Sequence, residues 1–200
     1  MRKVFNIKRK SIIFVLASPS AAGKTTLCYA AKERDKNIWY SVSVTTRPKR
    51  PNERNGREYY FVTDREFNQL LKSGELLEHT RIYDAQYGTP KAPIQKKLQQ
   101  GKDVIMDLDI KGVKALKRFW PHTVSIYILP PSMEELWMRL KNRGKINSEQ
   151  LHKRFAAAQK EIKVIPQFDY LIVNKNLKQA IDDLLAIIRA ERLKVSKLIL

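Results

Sequence analysis

The chain has 200 residues, of which 43% are hydrophobic, and 39 Lys and Arg against 20 Asp and Glu give a formal charge of +19. This length suits one domain with a smaller inserted lobe, and the charges are mixed along the chain, which excludes wholesale disorder. The positive field concentrates anions of any kind, so it does not by itself separate nucleotides from RNA or anionic lipid.

In chain order, the basic stretch Met1–Lys10 and the apolar run Ile12–Ala17 briefly resemble a signal peptide. The run is too short, and it leads into a glycine-lysine loop instead of a cleavage site. Ile12–Leu16 reads as a buried parallel strand, and a helix opens near Lys24. That helix holds Cys28, whose lone thiol cannot form an internal disulfide. Tyr40–Val44 reads as a second strand. Thr63-Asp64-Arg65-Glu66 is a capping box, predicting a helix to about Lys72 that Gly74 stops.

Val104–Asp109 reads as a strand with two acidic residues at its end, and Val124–Leu129 as another, closed by Pro130-Pro131. A second capping box, Ser132 to Glu135, predicts a helix to about Asn142. A polar loop over Arg143–Asn147 precedes a helix over Ser148–Val164. Tyr170–Val173 reads as the last strand and Leu177–Leu193 as a closing amphipathic helix. The basic tail from Lys194 is left unassigned. Alternating strands and helices predict an α/β fold with a parallel sheet covered on both faces. Core 11–44, 99–137 and 159–195 is expected to carry an inserted lobe, 45–98, and a helical lid, 138–158. No stretch reaches the ~20 apolar residues of a membrane helix. No aromatic RNA-binding signature occurs either. A cytoplasmic protein is expected, without membrane or specific nucleic-acid partners; a homo-oligomer is left open.

The chemistry starts at Ser18-Pro19-Ser20-Ala21-Ala22-Gly23-Lys24-Thr25, followed by Thr26. Between a buried strand and a helix, this matches the phosphate-loop pattern G-x-x-x-x-G-K-[ST], with Ser18 in place of the first glycine. Backbone amides at such a loop surround phosphates, Lys24 reaches the outer phosphates, and the Thr25 hydroxyl suits Mg²⁺.

With that loop in place, a series of short motifs resembles the guanylate kinase family. They are Ser41-Val42-Ser43-Val44-Thr45-Thr46-Arg47-Pro48-Lys49-Arg50, Glu53, Gly56-x-x-Tyr59-x-Phe61-Val62, Leu77-Glu78, Tyr87-Gly88-Thr89 and Asp107-Leu108-Asp109-x-x-Gly112. Ile128–Ser132, Arg139-Leu140, Arg143-Gly144, Arg154 and Asp169-Tyr170-x-x-x-Asn174 complete the series. The resemblance runs from about Ile12 to Leu193.

It implies a P-loop kinase core with a nucleoside-monophosphate lobe and a lid, converting ATP and GMP (and dGMP) to ADP and GDP with Mg²⁺. The residue types agree. Arg47 and Arg50 are forked donors for the acceptor phosphate, with Tyr59 and Tyr87 beside them. Glu78 can accept from guanine N1–H and N2–H₂, while Ser43 and Thr89 donate to O6; adenine has the reverse pattern. Asp107 and Asp109 correspond to the family's acidic pair, with Asp109 favoured for help with Mg²⁺. Arg139, Arg143 and Arg154 flank the lid, where they would stabilise charge on the transferred group together with Lys24 and Arg50. Asn174 is expected on the adenine side.

Two alternatives stand at this point. A related P-loop kinase for another acceptor, such as a ribose bisphosphate, has no use for Glu78, Ser43 and Thr89. A non-catalytic module of the same family usually lacks the loop lysine and phosphate arginines, and here Lys24, Thr25, Arg47 and Arg50 are all present. Ala21 stands where the family commonly has glycine. If that position has φ > 0, alanine costs about 1 kcal/mol or more and weakens ATP binding.

Overall fold

The computed structural model describes residues 8–82, 84–142 and 147–199. Strand β1, Lys8–Arg9, precedes β2, Ile13–Ala17, whose five residues are all buried. The phosphate loop leads from β2 into helix α1, Lys24–Arg34. The single strand predicted over Tyr40–Val44 is instead two: β3, Ile38–Tyr40, and β4, Ser43–Thr45. They belong to different sheets, with Ser41 and Val42 crossing between. The alternation Tyr-Ser-Val-Ser-Val runs on through the change of sheet and so hides it.

The rest of the chain follows as β5, Tyr59–Phe61; α2, Asp64–Lys72; β6, Leu76–Ile82; β7, Ala85–Pro90; α3, Lys91–Gln99; β8, Asp103–Asp107; and α4, Ile110–Phe119. Then come β9, Val124–Leu129; α5, Met133–Lys141; α6, Ser148–Ile162; β10, Tyr170–Val173; α7, Leu177–Leu193; and β11, Leu198–Ile199. The capping box at α2 is complete: Thr63 accepts from the Glu66 amide, and the Glu66 carboxylate accepts from the Thr63 amide at 2.7 Å. At α5 Ser132 accepts from the Glu135 amide. The strand predicted to reach Asp109 stops at Asp107, and Asp109 caps α4 by accepting from the Gly112 amide at 2.6 Å.

The large sheet has five parallel strands in the order β10-β9-β2-β8-β3. Alternate side chains of β2 enter opposite cores, as a strand's period of two requires. Phe14 and Leu16 pack with Leu27 and Ala31 of α1 and Leu184 and Ile188 of α7. Ile13 and Val15 pack with Ile94 of α3 and Val113 and Leu116 of α4. A smaller mixed sheet, β5-β4-β7-β6, has α2 against one face, where Phe67 lies beside Gly88. Among the described residues, no helix is long and apolar enough to cross a membrane.

The basic tail left unassigned by the sequence returns to the main body, where β11 pairs antiparallel with β1. The fully buried Asp103 holds this end together. Its carboxylate accepts from both terminal nitrogens of Arg9 (2.7 and 2.9 Å), from Arg192 Nε at 2.7 Å and from the Ile12 amide at 2.9 Å. Removing it leaves the Ile12 amide and Arg192 Nε without this acceptor and breaks the two-pronged pair with Arg9, while Arg192 keeps its bond to Asp35. Asp103→Ala is therefore expected to destabilise the protein by about 3 kcal/mol, measured by urea unfolding. Asp103→Asn should lose less, since it keeps one acceptor oxygen.

Candidate active site

Parallel sheets place ligands at the carboxyl ends of their strands, and the cleft of this protein, about 640 Å³, opens there. It is lined by the loop from Ser18 through Thr26 apart from Pro19, one face of the small sheet, Arg47 and Arg50 beyond β4, Asp107 through Asp109 at the end of β8, and Arg154 with Glu161 from α6.

The loop is tightly wound. Lys24 Nζ donates to the Ser18 carbonyl at 3.0 Å and to Ser18 Oγ at 2.9 Å, while that hydroxyl donates to the Pro19 carbonyl. Serine at the first-glycine position thus gives the loop lysine an acceptor. Gly23, the N-cap of α1, has φ +99°. Ala21 has φ +71° and is the one non-glycine with positive φ among the described residues.

Register organises the acceptor side. Ser43 of β4 pairs with Tyr59 of β5, Val44 with Gly88 sets Ser43 next to Thr89 of β7, and Thr89 pairs with Glu78 of β6. One row across four strands therefore carries Tyr59, Ser43, Thr89 and Glu78. Two residues along, on the same face, lies Phe61, Thr45, Tyr87 and Thr80. Residues distant in sequence become one surface because each pair is in register.

Glu78 is 6% exposed. Its Oε1 accepts from Thr89 Oγ1 at 2.5 Å, while Oε2 is buried with no hydrogen-bond partner. Burial pushes its carboxyl up to about 7, against the Thr89 hydrogen bond and with help from the Asp109 charge. Gly112 makes the close approach of α4 feasible: a Cβ there would meet Glu78 Oε2 at 3.0 Å and Asp109 Oδ1 at 3.1 Å. Arg47 donates to both Glu53 oxygens at 2.8 and 3.0 Å and lies over the rings of Tyr59 and Phe61. Arg50 approaches the same carboxylate at 3.6 Å. Burial raises the Glu53 carboxyl, but Arg47 and the Arg50 amide outweigh it and hold it below the usual range. Glu53 thus sets both arginines at the rim of the cleft.

The acidic pair divides its work. Asp107 ends β8 beside Leu16 of β2, and its Oδ2 accepts from Thr25 Oγ1 at 2.7 Å. Its Oδ1 accepts from Tyr40 Oη at 2.6 Å. Burial first, then the Asp107 charge, push the Tyr40 phenol far up, so it stays a donor. Asp109, favoured from the sequence as the carboxylate near Mg²⁺, accepts from the Gly112 amide and from Thr80 Oγ1 at 3.3 Å. The carboxylate set beside Thr25 is Asp107.

Asn174 and Arg139 do not line the cleft. Asn174, expected on the adenine side, is buried and donates to the Ala22 carbonyl at 2.9 Å, so it braces the loop from below. Arg139 bonds Glu135 at 2.8 Å and the Asn174 carbonyl at 3.4 Å, outside the lining of the cleft. Arg143 lies outside the described residues. Tyr40, Thr80 and Glu161 were not singled out from the sequence. Each is one polar residue on a regular element, without a local motif to mark it. Burial raises the Glu161 carboxyl, Lys24 opposes this, and Asp109 adds to it.

The family model for guanylate kinase matches residues 9–191. The guanylate kinase of Rickettsia bellii is 44% identical over 187 residues, covering 94% of this chain and 98% of the relative. That of Caldanaerobacter subterraneus subsp. tengcongensis is 38% identical over 192 residues, covering 96% and 93%. The crystal structure of guanylate kinase from Anaplasma phagocytophilum superposes with a TM-score of 0.82 at 34% identity, covering 96% of this chain and 92% of that one. With a phosphate loop facing a guanine-compatible row across one cleft, and with relatives matched over nearly their whole length, this chain belongs to the guanylate kinase family.

Proposed function

We propose that this protein transfers the terminal phosphoryl group of ATP to GMP or dGMP, yielding ADP and GDP or dGDP, with Mg²⁺ and in the cytoplasm. The observation that carries this is the unpartnered Oε2 of Glu78 in the cleft that also holds Lys24. A buried carboxylate oxygen without a donor calls for one from a ligand, and guanine brings two at adjacent atoms.

The loop amides of residues 18–25 and Lys24 would bind the donor phosphates. Arg47 and Arg50, oriented by Glu53, would take the acceptor phosphate, with Tyr59 and Tyr87 beside them. Arg154 would approach the transferred group from α6. Ser43 would donate to O6, while Thr89, expected to do the same, gives its one proton to Glu78 and so orients that carboxylate. Deoxyribose is tolerated because base and phosphate carry these contacts. The pair Thr25 and Asp107, two hard oxygens 2.7 Å apart, fits Mg²⁺, with Asp109 placed to act through water. When bound there, Mg²⁺ would neutralise charge on the donor's outer phosphates. Positioning and charge neutralisation dominate such transfers, so no strong general base is required.

A coupled ADP-release assay across GMP, dGMP, AMP, CMP and ribose phosphates tests this. GMP and dGMP should be preferred over AMP by roughly 10⁴-fold in kcat/KM, and chelation of Mg²⁺ should stop turnover. Equal rates with AMP and GMP would sink the assignment.

A further inference from the structure

The helices α5 and α6 have a small core of their own: Leu136, Leu140, Leu151 and Ala158, with Met133, Trp137 and Phe155 against it. One further residue packs on this core, Ala21, and it is the one described member from outside the two helices. It lies in the phosphate loop at φ +71°, where an L side chain is strained and glycine is not. A glycine would remove the strain, but also the methyl group that reaches the helices. The same α6 carries Arg154 into the cleft.

We propose that Ala21 is a positioning residue: its methyl group seats the α5–α6 pair on the phosphate loop and so aims Arg154 at the donor phosphates. The assignment of Arg154's task rests on the phosphotransfer proposed above; the contact itself does not. Strain at Ala21 is retained because the Cβ couples two parts of the site. Loop and helices then respond together when phosphates enter.

The test uses the full chain labelled with 5-fluorotryptophan. Trp137 reports on the helical core, while Trp39 and Trp120 pack in the main core and serve as internal references; Trp137→Phe assigns the signals. ATP should shift the Trp137 resonance in the parent. In Ala21→Gly, ATP affinity should change little, because the strain is already present in the ligand-free protein. The Trp137 shift at saturating ATP should shrink, and kcat should fall roughly tenfold with KM for GMP unchanged. Ala21→Ser, which keeps a Cβ, should restore the shift. A Trp137 signal unmoved by ATP in the parent, or an equal shift with undiminished kcat in Ala21→Gly, overturns the proposal. If the parent bound no ATP at all, the phosphotransfer reading itself would fail, a distinguishable result.

Discussion

Replacing Glu78 by glutamine is expected to lower kcat/KM for GMP by about 10³-fold while leaving ATP affinity unchanged. Hydrogen bonds to a charged group contribute about 1.5–3 kcal/mol each. The carboxylate offers guanine two acceptor positions; the carboxamide keeps one acceptor and turns a donor toward N1–H or N2–H₂. Glutamine is close in volume to glutamate and can retain the Thr89 contact, so the row Tyr59, Ser43, Thr89, Glu78 should stay in register. The loss then measures base recognition, and the preference for GMP over AMP should fall with it. Glu78→Ala should lose at least as much. An unchanged GMP-to-AMP ratio in both variants would remove Glu78 from base selection.

The same carboxyl predicts a pH dependence. Burial pushes it up to about 7 in the ligand-free protein. Guanine's donors require the ionised form, so GMP affinity should be full above that pH and decline as pH falls through it. The sign for stability is opposite. The folded state binds this proton more tightly than the unfolded chain does, so stability is lost as pH rises from the ordinary glutamate range to about 7. The loss is on the order of 3 kcal/mol. Saturating GMP should cancel it, and Glu78→Gln should flatten it. Urea midpoints at pH 5 and 8, with and without GMP, measure all three.

These effects also separate what a sequence can reveal from what it cannot. The phosphate loop was legible because its chemistry is local: eight consecutive residues, a strand before and a helix after. The cap at Thr63 was legible for the same reason. The acceptor residues were legible as motifs, but their assembly into one row depends on register between four strands, which no single segment encodes. Asp109 was the carboxylate favoured for help with Mg²⁺; that Asp107 stands beside Thr25 while Asp109 caps α4 is visible only once the strand end and the helix cap are seen. The bond from Asn174 to the Ala22 carbonyl was not legible, because it joins the end of one strand to a loop 152 residues away. The pairing of Lys8–Arg9 with Leu198–Ile199 had no signal, since two-residue strands carry no periodicity. Ala21 was legible as strain; its packing on α5 and α6 was not.

Substituting Gly23 by alanine should damage the donor site without changing any charge around it. Two separate effects act there. A left-handed conformation with a Cβ costs about 1–2 kcal/mol, and Gly23 has φ +99° and ψ 15°. The added Cβ would also fall 2.6 Å from Asn174 Nδ2, far inside van der Waals contact. Asn174 cannot simply move away, because it is buried and its Nδ2 holds the Ala22 carbonyl at 2.9 Å. Either Asn174 leaves the loop or the loop leaves its amide geometry; both spoil the phosphate site. Gly23→Ala is expected to weaken ATP binding by at least about 10²-fold and to lower stability by about 2 kcal/mol. GMP affinity should be untouched, because the acceptor row lies on the other sheet. A double-mutant cycle with Asn174→Ala isolates the two effects. If the clash matters, the pair will be less damaging than the sum of the singles by about 1–2 kcal/mol. Additive losses would show that only the backbone conformation demands glycine at this position.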